Sequence, residues 1–376
     1  MTTDTMPGSG ITGSGRPAFA GDNKLKLGLF GANMSCQTAL TTIPERWIGD
    51  WDENVEVAEL ADGAGLEFIL PVSRWKGYAG KVDPAGVCNE TIAWATGLLA
   101  KTKRLTVFAT VQAPLIHPVF AAKQFATADQ IGHGRFGLNI VVGWNDQELE
   151  MFGNTVPAPD RYPYTREWVE IIRRIWAGED EFDFNGRFFQ LRGLRGKPFP
   201  YGGTRPLLVN AGMSDVGRAF AMDCCDCWFS TPPSPKDDFS QSIAEAKAPA
   251  AARGIDYPVL TSSTVICRST KREAEEFYRY VCENADWEAV DRVLEIRRLS
   301  GRKLPEGDKQ QQRQEMLKGF GSFIIVGDPD HVASEFARLN RQGIDGIAMI
   351  FVNQKREVPF FLQEVAPRLQ AMGLRS

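Results

Sequence analysis

The sequence predicts an α/β chain folded as an eight-stranded βα barrel of the TIM type, carrying insertions. Strand-length apolar runs alternate with helical stretches from Lys24 onward, and about eight β units can be counted along the chain. Composition does not break between those units. A length of 376 residues with 43% hydrophobic content is enough for one large domain of this kind. The same alternation also permits a doubly wound open sheet, which is the second arrangement to test.

Residues 1–23 are rich in Gly, Ser, Thr and Pro without apolar periodicity, and are expected to form a disordered arm. The GSGITGSG within it neither follows a strand nor opens a helix, so it is not a phosphate loop. Residues 24–376 then make a single barrel domain. KLKLGLF supplies the first strand, Asp52–Gly65 a helix, LEFILP the second strand, Thr91–Lys103 a helix and LTVFATV the third strand. A helix from Pro118 to about Gly132 leads into GRFGLNIVVGW, Gly134–Trp144, and then a helix spans Tyr164–Trp176 with Trp168, Ile171, Ile172 and Ile175 on one face.

The alternation pauses at Phe182–Leu191. Asn185-Gly186 lies there between aromatic and apolar residues, predicting a type I′ hairpin inside an insertion near 178–204. It resumes with RPLLVNAG, a helix from Ser214 to about Met222, CWFST, a helix within Pro235–Arg253, VLTSSTVIC, and charged helices between Arg272 and Arg298. Ser300–Gln314 is polar and carries Gly301, Pro305 and Gly307, so it reads as a mobile loop or linker in a second insertion near 296–320. Asp330–Gly343 as helix, GIAMIFV as strand and a C-terminal helix close the chain.

Composition narrows the function. A net charge of -4 gives no electrostatic footprint for nucleic acid or an anionic membrane, which leaves a small molecule as the partner. Seven cysteines without framework spacing, and no apolar segment near the start, predict reduced thiols in a cytoplasmic protein. Cys224, Cys225 and Cys227 lack a second Cys or His cluster to complete a metal site, and read as small buried hydrophobes. His117, His133 and His331 show no ligand spacing, which disfavours zinc and facial-triad iron. No G-x-S-x-G is present and no carboxylate pair stands at the strand ends, which disfavours serine hydrolysis and glycoside cleavage.

What remains is a set of neutral hydrogen bonders among aromatics. Asn139 sits in an otherwise apolar strand, and a buried amide without partners costs about 1–3 kcal/mol, so a polar ligand is expected to approach it. Thr110 and Ser73 lie at other strand ends, with Trp75, Trp144, Trp228 and Phe229 nearby in sequence, a set that suits a flat cofactor or plain core packing. Ser214, between Gly212 and Gly217 at a strand-to-helix turn, caps a helix that either binds phosphate or is simply capped. Arg161 is available to pair with such a phosphate, or is a solvated helix end. His133, in the turn before the Asn139 strand, reads as a loop residue, and His117, ahead of Pro118 at a helix start beside a strand end, is a candidate for the pocket lining.

Five ordered blocks carry a family resemblance: LPVSRWKGYAG (Leu70–Gly80), FATVQAPLIHPVFAAKQFATAD (Phe108–Asp129), GRFGLNIVVGW (Gly134–Trp144), DRYPYTREWVEIIRRIW (Asp160–Trp176) and NAGMSDVGRAFA (Asn210–Ala221). The chain resembles the bacterial luciferase-like flavin monooxygenases, in the branch containing the pyrimidine oxygenase of uracil breakdown and dimethylsulfone monooxygenase. The resemblance implies a barrel that uses reduced FMN from a separate NAD(P)H:flavin reductase, together with molecular oxygen. It also implies a homodimer or homotetramer and a small substrate oxygenated or cleaved at a C–S, C–N or C–halogen bond. By resemblance, Asn139 and Thr110 are catalytic at the flavin N5 edge, including a route through an N5-peroxide and N5-oxide. Ser73 and Arg74 fall where the pyrimidine oxygenase has flavin-contacting residues of a different type, so the resemblance implies a backbone role there; Glu148 resembles a flavin-contacting glutamate, and Arg161, Tyr162 and Ser214 resemble phosphate-binding positions. Trp75, His117, Trp144 and Phe229 are the expected pocket walls. The loop ANMSCQTALTTIPERW departs from the pyrimidine oxygenase and is closer to the sulfone branch. Two further readings fit a luciferase-like barrel: a deazaflavin-dependent oxidoreductase, and a flavin-binding subunit without catalysis.

Overall fold

The computed structural model describes Arg16 and residues 20–153, 156–230, 238–252, 254, 256–301, 304–319 and 323–376. Its strands in chain order are β1 (Lys26–Phe30), β2 (Phe68–Leu70), β3 (Thr106–Gln112), β4 (Phe136–Val141), β5 (Phe182–Asn185) and β6 (Gln190–Leu194), followed by β7 (Leu207–Asn210), β8 (Cys227–Ser230), β9 (Val259–Cys267), β10 (Phe323–Gly327) and β11 (Gly346–Ile350). Parallel pairing runs β1-β2-β3-β4-β7-β8-β9-β11, and β11 returns to β1. The β8–β9 and β1–β11 pairings close the ring, which is the predicted eight-stranded barrel and sets the open sheet aside.

Alternation along each strand sorts side chains into two cores. Phe68, Phe108, Leu207, Val209, Phe229 and Leu260 form one cluster that fills the barrel. Leu27, Leu29, Ile69, Val107, Leu138 and Ile347 belong to a second cluster shared with helical residues such as Phe125, Trp168 and Phe336. Two glycines make room inside. A Cβ on Gly28 would overlap the Phe68 ring, and one on Gly137 would overlap the Phe108 ring. Gly137 therefore faces inward beside its rung partner Phe108, and two residues on Asn139 and its partner Thr110 face inward too.

The hairpin exists, but its turn differs from the prediction. β5 and β6 pair as far as Asn185↔Gln190, so Gly186–Phe189 make the connection. Neither Asn185 nor Gly186 has a positive φ, which a type I′ turn requires at both positions. Glu167, from the helix Arg161–Ala177, decides the geometry by accepting from the backbone N–H groups of Arg187 at 2.7 Å, Phe188 at 2.9 Å and Phe189 at 3.2 Å. A Cβ at Gly186 would overlap that carboxylate. A distant side chain thus replaces local turn chemistry.

The polar stretch Ser300–Gln314 also departs from the loop expectation, because a helix runs Lys309–Gly319. Its residues are good helix formers, and the turn residues lie ahead of it. Met316 and Leu317 are buried, and Arg313 meets Asp291 at 3.0 Å while lying over the Trp287 ring. The short strand β10 was not anticipated; it pairs with the second half of β9, outside the ring. Of the predicted arm, residues 1–15 and 17–19 lie outside the described residues. Arg16 is buried, with Nη1 2.7 Å from the Asp129 carboxylate. Composition does not register one long-range ion pair of this kind.

Candidate active site

The carboxyl ends of β2, β3, β4 and β7 bring the key side chains together. Thr110 Oγ1 donates to Pro71 O at 2.5 Å, just past β2, and Asn139 Nδ2 donates to Thr110 Oγ1 at 3.1 Å. The chain of donation fixes both side chains. Asn139 Oδ1 is left buried without a partner, and so is Gln112 Oε1 two residues beyond Thr110. Each is a buried acceptor near the carboxyl ends of the strands, the kind of group that calls for an explanation.

Glu148 organises the neighbouring wall. It sits in the short helix Asp146–Met151, capped by Asn145, and is fully buried. Its carboxylate accepts from Gln112 Nε2 at 3.1 Å, Trp75 N at 3.1 Å and Lys76 N at 3.4 Å, and lies 3.5 Å from Arg74 Nη1. Arg74 is stacked over the Trp144 ring at 4.5 Å and stands 5.6 Å from that of Tyr78. Burial works to lower its pKa, but Tyr78 and Glu148 outweigh that and raise it, so the guanidinium stays charged. Arg297, from the helix Trp287–Leu299, adds a second cation here. Its pKa is lowered, chiefly by burial, with Tyr78 raising it and Arg74 lowering it. Burial pushes the Cys88 thiol up to about 11, so this nearby sulfur stays protonated and is no nucleophile.

The β7 end forms a tight cradle. Ser214 caps the helix Asp215–Cys224 by accepting from Gly217 N at 3.1 Å. A Cβ at Gly212 would lie 2.6 Å from the Tyr162 hydroxyl, and one at Gly217 would lie 2.5 Å from it. Neither glycine has a positive φ, so close approach and not backbone conformation explains them. Phe229 stacks on Phe30 at 5.9 Å inside the barrel, with Phe30 partly open to the mouth.

Several predicted residues are placed otherwise. His117 is exposed: it caps its helix by accepting from Val119 N at 3.3 Å, and its ring packs on Phe189. Arg161 is already engaged, with Gly143 O at 3.1 Å, Val156 O at 3.2 Å and Asp146 at 2.6 Å. Trp75 contributes its backbone N–H to the site, while its ring is 42% exposed against Phe152. Ser73 is half-buried in the loop after β2. Cys224, Cys225 and Cys227 are buried thiols, their pKa values raised by burial, as the small-hydrophobe reading expects. Among the described residues no cluster of His, Cys, Asp and Glu has the makings of a metal site, and no helix is long and apolar enough to cross a membrane. Gln112 went unnoticed in the sequence, though its parity with Thr110 on β3 signalled it.

The chain matches the luciferase-like monooxygenase family over residues 31–346. It belongs to that family. Similar proteins include an FMNH(2)-dependent dimethylsulfone monooxygenase of Pseudomonas fluorescens, 30% identical over 94% of this chain and 96% of the relative. A pyrimidine monooxygenase, RutA, of Escherichia coli O150:H5 is 26% identical over 92% of each chain. Among solved structures, DmoA from Hyphomicrobium sulfonivorans superposes with a TM-score of 0.80 at 17% identity, covering 94% of this chain and 89% of that one. In this luciferase-like monooxygenase the barrel mouth is thus the place to look for chemistry.

Proposed function

We propose that this protein is the oxygenase component of a two-component flavin monooxygenase. It takes reduced FMN from a separate NAD(P)H:flavin reductase and uses molecular oxygen on a small organic substrate, oxygenating a heteroatom or cleaving a C–S, C–N or C–halogen bond. The FMNH(2)-dependence of the dimethylsulfone monooxygenase relative supports the cofactor. The observation that carries the reading is the fixed Thr110–Asn139 pair with its orphaned acceptor.

The residues present fit such a group. Asn139 Oδ1 and Gln112 Oε1 are buried acceptors awaiting donors, and a reduced flavin ring presents N–H groups. At Gly212 and Gly217 the backbone approaches the Tyr162 hydroxyl closely, at a helix N-terminus suited to phosphate. Ser214 and Tyr162 would hold that end, and Glu148 with Arg74 the other. When bound, FMN supplies the electrons for oxygen activation. Pro71 O and Thr110 hold the Asn139 amide in one orientation, so its acceptor needs no reorganisation on binding. The Phe30–Phe229 stack adds an apolar surface inside the barrel.

The test is Asn139→Ala and Thr110→Ala, each assayed for FMN affinity and for product formed per oxygen consumed. Product yield is expected to fall at least about a hundredfold, the scale of losing one preorganised polar contact, while FMN still binds. Full product yield in both variants, or turnover without oxygen, would contradict the proposal.

A further inference from the structure

Across the barrel from Asn139, two glutamines hold hydrogen-bonding atoms with nothing to bind. Gln37 follows β1 and is 1% exposed, and Gln354 opens the helix Gln354–Glu364 after β11 and is 0% exposed. In ring order β11 stands opposite β4, which carries Asn139. Gln37 Oε1 accepts from Phe351 N at 3.3 Å, and Gln354 Nε2 donates to Phe30 O at 3.0 Å. A backbone N–H only donates and a backbone C=O only accepts, so these bonds decide how each amide is turned. What is left over is a donor, Gln37 Nε2, and an acceptor, Gln354 Oε1, both buried without a partner.

The two anchors lie on adjacent strand ends. β1 and β11 pair with Leu29 opposite Met349, so Phe30 and Phe351 are one rung apart on strands about 4.8 Å from each other. Ser262 faces the barrel interior, paired with Ala348 two residues beyond the inward Leu260. The backbone adds an independent sign. Cys36 and Gln37 are consecutive non-glycine residues at φ of 59° and 47°, an unfavourable left-handed pair. Cys36 N–H to Trp47 O at 2.7 Å holds that turn. Strain of this kind persists where it aims a functional side chain.

We propose that Gln37 and Gln354 together bind a neutral carboxamide of the substrate, either a primary amide or an N–H lactam. Its carbonyl accepts from Gln37 Nε2 and its N–H donates to Gln354 Oε1. The assignment deepens the flavin monooxygenase reading of this chamber and rests on it for the chemistry that follows binding. Both side chains are neutral, so the complement is neutral. A sulfone or ketone offers acceptors alone and leaves Gln354 Oε1 buried and unpaired.

The experiment titrates FMN-loaded protein with 2-piperidone, N-methyl-2-piperidone and cyclohexanone by ligand-observed NMR, in wild type, Gln354→Met and Gln37→Met. Wild type is expected to favour the N–H lactam by about tenfold or more, since a site built to pair an N–H rejects analogues lacking it. Gln354→Met brings that preference within about twofold, and Gln37→Met weakens all three carbonyl compounds, with FMN affinity unchanged in both. A wild type that does not distinguish the three, or a Gln354→Met variant that keeps the preference, overturns the proposal. Should the variants fail to fold, a crystal soaked in 2-piperidone decides: lactam bridging both amides supports it, and water alone between them overturns it. Failure of wild type to bind FMN instead sinks the flavin reading, and the same titration on flavin-free protein still decides the amide site.

Discussion

Glu148→Gln is the sharpest probe of the wall beside Asn139. The wild-type carboxylate accepts from three N–H donors, at 3.1, 3.1 and 3.4 Å, and faces Arg74 at 3.5 Å. An amide of the same size keeps one acceptor oxygen and gains an NH2. Whichever way it turns, that NH2 meets either the Arg74 guanidinium, beside Gln112, or the Trp75 and Lys76 N–H groups, donor against donor in a fully buried place. One such mismatch costs about 1–3 kcal/mol. Arg74 also loses its counter-ion; breaking a fully buried pair costs about 3–5 kcal/mol, but this pair is long and Arg74 keeps its stack on Trp144, so about 2 kcal/mol is taken. The sum is about 3–5 kcal/mol, or a fall in Tm of roughly 6–10 °C at about 2 °C per kcal/mol for a large domain. Thermal unfolding by circular dichroism measures it, and the double variant Arg74→Gln, Glu148→Gln closes a cycle in which the two losses are expected to be less than additive by at least about 1 kcal/mol. A Tm within about 2 °C of wild type, or strictly additive losses, would refute the reasoning.

Gly217→Ala places a Cβ 2.5 Å from the Tyr162 hydroxyl in a helix where alanine is otherwise favourable, so FMN affinity is expected to fall more than about tenfold while helicity is kept; equilibrium titration of flavin fluorescence checks this. Asp62→Asn reports on acid stability. Burial raises the Asp62 pKa, but N–H bonds from Leu105 at 2.6 Å, Arg104 at 2.6 Å and Lys103 at 3.1 Å more than offset it, leaving the folded pKa below 3.8. A lowered pKa stabilises the fold above the unfolded value, and that gain is lost as pH falls through the folded one. The variant is therefore expected to lose about 1–3 kcal/mol at neutral pH and progressively less below pH about 4, read from urea unfolding across that range. Glu167→Ala removes the acceptor for three N–H groups of the β5–β6 connection; faster amide hydrogen exchange confined to Arg187–Phe189 is expected, with barrel protection unchanged.

The sequence determined the barrel by itself, because an apolar run between glycines and an amphipathic helix are local patterns that repeat with local periods. It also singled out Thr110, Asn139 and Ser214, since a polar residue in an apolar strand and a serine ahead of a helix are visible without neighbours. It did not reveal what depends on groups far apart in the chain. The Asn185-Gly186 turn was misjudged because Glu167 governs it from another helix. Arg161 reads as available for phosphate because its tie to Asp146 exists only once the loop folds back, and the contact of His117 with Phe189 joins two distant segments. Which way an amide points, and whether its second atom finds a partner, was decided by tertiary structure alone. Gln37 and Gln354 are 317 residues apart in numbering, and only the pairing of β1 with β11 brings the backbone groups that anchor their amides onto neighbouring strand ends.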